Sequence, residues 1–333
     1  MVVTTTETRR AGTAGPADEP FASLPLDDWA ETKETLHRLL QVVGKIRLAA
    51  SPQRNHWWNV PFHVTGRGLT TRPMGQVDGN PIFTIDFDLV AHVLLIATLD
   101  GRQLSFPLAG ESVADFYRRV LAGLGDLGVR VEIDQPHPFD LPDLDRPFDQ
   151  DTEHRAYDRA QVGRYWRLLS QVNLLLEEFA ARFSGKVSPV HHFWHTMDIA
   201  HTRFGERRID QAPEVSRVAR EAYSREVISF GFWFGDETVP EPAFYAYTAP
   251  EPASLAKEPL APDPARWVTR EANGHLAVLT LDDARAQGDA RAAALRFYES
   301  AYQAGARQAG WDIEALACPG GITDPVRSAP RHG

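Results

Sequence analysis

Gly185-Lys186-Val187-Ser188-Pro189-Val190-His191-His192-Phe193-Trp194-His195-Thr196-Met197-Asp198-Ile199-Ala200-His201-Thr202-Arg203-Phe204 holds four of the chain's twelve histidines, with an aspartate, an arginine and a tryptophan. As a helix, this stretch would stack His191, His195 and Asp198 at i, i+4 and i+7, a face able to bind a metal. As a strand, it would put His191, His195, His201 and Arg203 on one face and His192, Trp194 and Asp198 on the other. Pro189 favours the strand. So does a weaker copy earlier in the chain, Gly44-Lys45-Ile46-Arg47-Leu48 followed by Asn55-His56-Trp57-Trp58-Asn59-Val60-Pro61-Phe62-His63-Val64. The copy carries β-prone Val60, Val64 and Thr65.

The flanking sequence reads in the same order around each copy. A helix is expected from Leu26 to Val43, stopped by Gly44, with Trp29, Leu36, Leu39, Leu40 and Val43 on one stripe. A strand is expected at Lys45–Ala49 and another at Trp57–Thr65. Ile82–Leu89 alternates cleanly, Val93–Leu99 and Leu104–Leu108 flank an Asp100-Gly101 turn, and Ser112 opens a helix over 113–124. Val129–Ile133 reads as a short strand. In the second half a helix is expected over 158–183, then the histidine-rich stretch, a short helix over 216–224, and aromatic strands at 226–234 and 243–248. A last strand over 275–281 follows an Asn273-Gly274 turn, and a last helix over 290–309 ends at Gly310.

Two of the four lysines follow the glycine expected to end each half's first helix, and each half carries a His-aromatic-Trp triplet. These features predict internal duplication. Antiparallel hairpin signals without strand–helix–strand alternation predict an α+β fold, with two helix–strands–helix halves facing each other across a pseudo-twofold cleft. The expected organisation is a tail at 1–20, a first half at 21–134, a linker rich in Pro and Asp at 135–157, a second half at 158–316 and a tail at 317–333.

With 333 residues, 43% of them hydrophobic, the chain can bury a large core. A net charge of -10 and the lack of a Lys/Arg run argue against nucleic acid as partner. One cysteine, Cys318, excludes an internal disulfide and a cysteine-based zinc site, and its polar surroundings make it a poor nucleophile. No apolar run is long enough to span a bilayer, and residues 1–20 lack the apolar core of a signal peptide, so a cytoplasmic location is expected.

The motifs GKIRL (44–48), NHWWNVP (55–61), SPVH (188–191), TRF (202–204), EAYS (221–224) and EPAFYAY (241–247) resemble an uncharacterised bacterial family, a domain of unknown function. The resemblance runs from Leu24 to Trp311. It implies one bacterial family and no particular activity. His56, His191, Asp198, Arg203 and Glu226 match its pattern, whereas His192, His195 and His201 depart from it.

Those matching residues are the candidate catalytic set. A histidine beside Asp198 or Glu226 could act as base or acid near neutral pH, with Arg203 holding an anionic group. The bland alternative is an internal ion pair of Arg203. A divalent metal would draw on His56, His191, His192 and Glu226, although no His-Glu-x-x-His or Cys-x-x-Cys motif supports it. Trp58, Trp194, Tyr245 and Tyr247 are the candidate ligand-binding aromatics, against the alternative that they fill a wide core. Gly44-Lys45 and Gly185-Lys186 read as helix caps, not phosphate loops. The sequence thus points to a small-molecule enzyme using His, carboxylate and Arg chemistry in an aromatic-lined cleft. The alternatives are a non-catalytic small-molecule binding protein or an interaction scaffold. Substrate and oligomeric state stay open.

Overall fold

The first helix runs past the glycine expected to stop it. In a computed structural model of the chain, which describes residues 19–75, 79–236, 240–270 and 274–324, α1 spans Ala30–Ala50. Gly44 lies inside it because the indole of Trp194 packs directly on that turn, where a Cβ would overlap the ring. The strand expected at 45–49 is therefore helical, and buried Val42, Val43, Ile46 and Ala50 extend its apolar surface. The helix stops at Ser51, held extended (φ -116°, ψ 140°) by the proline that follows.

The strand expected from Trp57 is displaced for a similarly local reason. Asn55–Trp57 is a 3-10 turn in which His56 and Trp57 adopt φ of 56° and 59°, a region closed to strands. Pairing begins later, with β1 (His63–Val64), β2 (Gly68–Thr70), β3 (Phe83–Asp88), β4 (Val93–Thr98) and β5 (Gln103–Pro107) in one antiparallel meander. The alternation of β3 holds: Phe83, Ile85 and Phe87 are buried and Thr84, Asp86 and Asp88 are not. Ser112 caps α2 (Val113–Asp126) by accepting from the Asp115 amide. The segment 129–133 is not a strand, since no neighbour pairs with it.

Residues 135–157 are irregular apart from a 3-10 turn at Phe148–Gln150. They are tied to α1: the Pro142 carbonyl accepts from Arg38 at 3.0 Å and the Phe139 carbonyl from Gln41 at 2.9 Å. The second half opens with α3 (Arg159–Ala180), capped by Asp158. Its buried row runs through Tyr165, Leu169, Val172, Leu176 and Phe179, with Trp166 only half-buried. The histidine-rich stretch is β-structure as expected, but it is a hairpin. β6 (His191–Phe193) turns at Thr196-Met197 into β7 (Asp198–Arg208).

The sheet continues through β8 (Arg225–Trp233), β9 (Ala243–Ala249), β10 (Arg266–Arg270) and β11 (Gly274–Thr280), in the order β10-β11-β9-β8-β7-β6, all antiparallel. Between β7 and β8 lies α4 (Arg217–Ala222). After β11 come α5 (Leu281–Ala286), α6 (Ala290–Ala309) and α7 (Ile313–Leu316). Gly310 ends α6 in the left-handed conformation, φ 73°. The expected Asn273-Gly274 turn falls partly outside the described residues, at Asn273. Cys318, placed in a tail by the sequence, is buried, and its amide donates to the Arg182 carbonyl.

The fold is α+β, with two antiparallel sheets and one apolar core cluster drawn from both halves. The sheets meet at one bridge, where Phe62 and His192 exchange hydrogen bonds at 2.8 and 2.9 Å. Phe62 and His192 stack on one side of this seam, and His63 and His191 approach to 6.2 Å on the other. Both halves run helix, strands, helix, with five strands against six. The two triplets differ in conformation, His56-Trp57-Trp58 being a turn and His192-Phe193 a strand. Among the described residues, no helix is long and apolar enough to cross a membrane.

Candidate functional site

The hairpin changes which residues share a face. Phe193 pairs with Asp198 and His191 with Ala200, so His191, Phe193 and Asp198 point the same way. His192 pairs with Ile199 and lies on the opposite side with His201 and Arg203. An uninterrupted strand would have grouped them differently, and Met197, at φ 55°, is the residue that breaks the alternation.

Asp198 accepts from Thr196 Oγ1 at 2.5 Å and from the Tyr245 hydroxyl. Tyr245 stacks on Tyr247 with centroids 6.3 Å apart and an 11° tilt, and the Tyr223 hydroxyl reaches Tyr247 at 3.3 Å. Gly231 makes room for Tyr245, since a Cβ there would overlap its phenol. Burial pushes the Tyr245 and Tyr247 hydroxyls well above their usual range, and the Asp198 charge adds to this at Tyr245. Both phenols therefore stay protonated at neutral pH, and this network ties the sheet together through filled hydrogen bonds.

Arg203 and Glu226 are likewise occupied. Arg203 is 1% exposed, donates to the Phe179 carbonyl at 2.8 Å, and lies 4.0 Å from the Phe179 ring and 4.3 Å from that of Tyr302. Glu226 accepts from Arg207 Nε at 2.9 Å. Trp194 is buried over Gly44 and donates to the Val60 carbonyl. His191, Asp198, Arg203 and Glu226 are thus spread over two faces of the sheet and do not converge.

The proposed metal set does not converge either. His191 and His192 are neighbours on a strand and point to opposite sides, His56 contacts a lysine, and Glu226 is paired with Arg207. Among the described residues, no group of three or more His, Cys, Asp or Glu is placed to hold a metal ion. Burial pushes His192 down to about 3 and His191 well below its usual range, so both are neutral near pH 7. The Tyr165 hydroxyl lies 2.8 Å from His192 Nε2.

The remaining candidates, His56 and Trp58, form a different centre. The turn that carries them is held against α4: the His56 amide donates to Glu221 Oε1 at 2.8 Å, and Trp57 Nε1 donates to the Val218 carbonyl at 3.0 Å. His56 Nδ1 faces the Ala222 carbonyl at 3.4 Å, which leaves Nε2 as an acceptor. Lys186 Nζ lies 2.8 Å from that Nε2, 5.3 Å from the Trp58 ring and 4.8 Å from the Phe204 ring. Burial, then Lys186, lowers the proton affinity of His56. Burial, then Arg225, lowers that of Lys186, with Glu221 opposing. Glu221 also borders an open cleft of about 470 Å³ lined by Gln53, Asp210, Arg217 and Arg220.

One family model matches residues 21–318, which take in both sheets and every element described above up to α7. The chain belongs to DUF5996. It is a family of unknown function, and no curated protein or solved structure matches the chain. The motifs noted at His56, Lys186 and Glu221 therefore carry no inherited role in this DUF5996 member, and their chemistry has to be read from geometry. Lys186 was visible in the sequence through the rarity of lysine, but its position after a glycine read as a helix cap. In fact α3 has already ended at Ala180, and Gly185 lies where a Cβ would crowd Phe183 and Leu316.

Proposed function

We propose that this DUF5996 chain is an enzyme acting on a small organic molecule at the cleft beside His56, with the Lys186 amine as its reactive group. The contact between Lys186 Nζ and His56 Nε2 at 2.8 Å carries this reading. A lysine with lowered proton affinity supplies free amine closer to neutral pH, and a neutral imidazole at hydrogen-bond distance can take its proton. The free amine is a nucleophile suited to a carbonyl carbon. Arg217 and Arg220 supply positive charge in the cleft for an anionic part of the molecule, and the Trp58 ring lies 5.3 Å from the Lys186 amine beside it. A non-catalytic small-molecule binding protein is the second reading. It is favoured by the filled hydrogen bonds of Asp198 and Tyr245, which leave no assembled triad.

Trace acetylation of the four lysines, followed by mass spectrometry from about pH 6 to pH 10, tests the reading. The reactivity of Lys186 is expected to rise at a lower pH than that of exposed Lys257. A midpoint equal to or above that of Lys257 would remove the amine from consideration.

A further inference from the structure

A second group of cations lies where α1 ends against the seam. Arg47, in the last turn of α1, is 5% exposed. Its Nε is buried without a hydrogen-bond partner, and no carboxylate among the described residues lies within ion-pair distance. His191 is 2% exposed with Nδ1 also unpartnered, and His63 stands 6.2 Å from it across the seam.

Two exposed arginines flank these groups. Arg54 sits in the loop after α1, whose closure is fixed by its amide donating to Asn59 Oδ1 at 3.1 Å. Arg72 follows β2, whose Thr70 pairs with His63, and the Gly75 amide donates to the Ala50 carbonyl at the end of α1. Neither arginine forms an ion pair among the described residues. Electrostatics agrees with the geometry. Beyond burial, the charges acting on Arg47 are those of Arg72 and Arg54, and both oppose it. His63 is held down to about 3 by burial and then by Arg72, Arg47 and Arg54. Burial raises the proton affinity of Glu177 on α3, with Arg72 opposing, and the two form no ion pair.

Buried charges are ordinarily paired, and a cluster of one sign in a chain of net charge -10 is a site that lacks its counter-charge. Arg47 and His63 each keep a small accessible edge, and Arg54 and Arg72 are exposed. Three guanidinium groups exceed what one carboxylate needs, whereas a phosphoryl group offers several acceptor oxygens and up to two charges. We propose that Arg47, Arg54, Arg72 and His63 form a binding site for a phosphoryl dianion, either inorganic phosphate or the phosphate of a small phosphomonoester. This proposal is independent of Lys186.

Isothermal titration calorimetry of the full chain with inorganic phosphate tests it, with acetate at matched ionic strength as the carboxylate arm. The control is the double variant Arg54→Gln/Arg72→Gln, whose positions are exposed and whose folding is checked by its urea midpoint. Saturable phosphate binding that the double variant weakens about tenfold or more, with no comparable response to acetate, is the expected result. No saturable binding up to about 10 mM phosphate overturns the proposal, as does binding unchanged in the double variant. Acetate binding as tight as phosphate overturns the assignment to a phosphoryl group. Glucose 6-phosphate as a second titrant separates the sources, since only a site open to a monoester binds it.

Discussion

Arg203 and Arg47 are both almost fully buried, and burial brings each down to about 10. Around Arg203 the fold has built a host: four aromatic rings, from Phe179, Phe183, Phe230 and Tyr302, lie within 5.6 Å of its guanidinium, and the Phe179 carbonyl accepts from it. Tyr302 and Glu299 also favour its charge. The Nε of both arginines is buried without a hydrogen-bond partner, but around Arg47 no described residue forms an ion pair with it, and its charged neighbours repel it. The chain compensates Arg203 from within, as it does buried Arg38 through Glu34 and Asp151. The case of Arg47 makes sense if the compensation arrives from outside. A buried charge whose compensation is missing is thus a stronger pointer to a ligand than one the fold already surrounds.

Substitutions at the two arginines should separate the cases. Arg203→Ala empties the ring box and is expected to cost about 3–5 kcal/mol in urea denaturation at neutral pH. A loss below about 1 kcal/mol would mean that the rings do not depend on the guanidinium.

Acid should produce the next effect. Burial pushes His192 and His201 down to about 3, while an unfolded histidine titrates near 6.5. Below about 6.5 the unfolded chain binds protons that the native chain cannot, so stability is complete above that pH and falls as pH drops toward 3. Each of the two contributes roughly 1.4 kcal/mol per pH unit in that window. Urea midpoints at neutral pH and one unit below 6.5 measure this, and equal midpoints would break the assignment of these histidines as neutral. The smallest effect is expected at the other arginine. In phosphate-free buffer, Arg47→Met should change stability by less than about 1 kcal/mol, in the stabilising direction, because it removes an uncompensated charge. A loss as large as that of Arg203→Ala would erase the contrast between the two sites.

Much of the fold was legible because its signals are local. The alternation of Phe83 to Asp88, the Ser112 cap and the Gly310 stop each depend on a few neighbouring residues. Gly44 misled because its reason lies far along the chain, in the indole of Trp194. The hairpin at Thr196-Met197 carries no Gly, Asn or Pro to announce it, and Met197 takes the left-handed turn itself. β10 escaped because four of its five residues are exposed, so its sequence lacks an apolar face.

The candidate site was legible in residue type and less so in grouping. His56 and Trp58 do face the Lys186 amine. Arg203 and Glu226 are distinctive in sequence for reasons of packing and pairing. Arg47, Arg54 and Arg72 are unremarkable one by one in an arginine-rich chain. Only the closing of α1, its following loop and β2 onto the seam brings them together.

The bridge at Phe62 and His192 also imposes a counting rule on the chain. Side chains alternate across it, so the parity of residue number decides which partner each histidine meets. Inserting or deleting one residue just before His63, or just before His191, would turn that ring to the side now held by Phe62 and His192. Two residues would restore the facing while shifting the pairing along the strand. Length changes elsewhere in the loops escape this rule, so the segments entering the seam are where the chain can least tolerate an odd change in length.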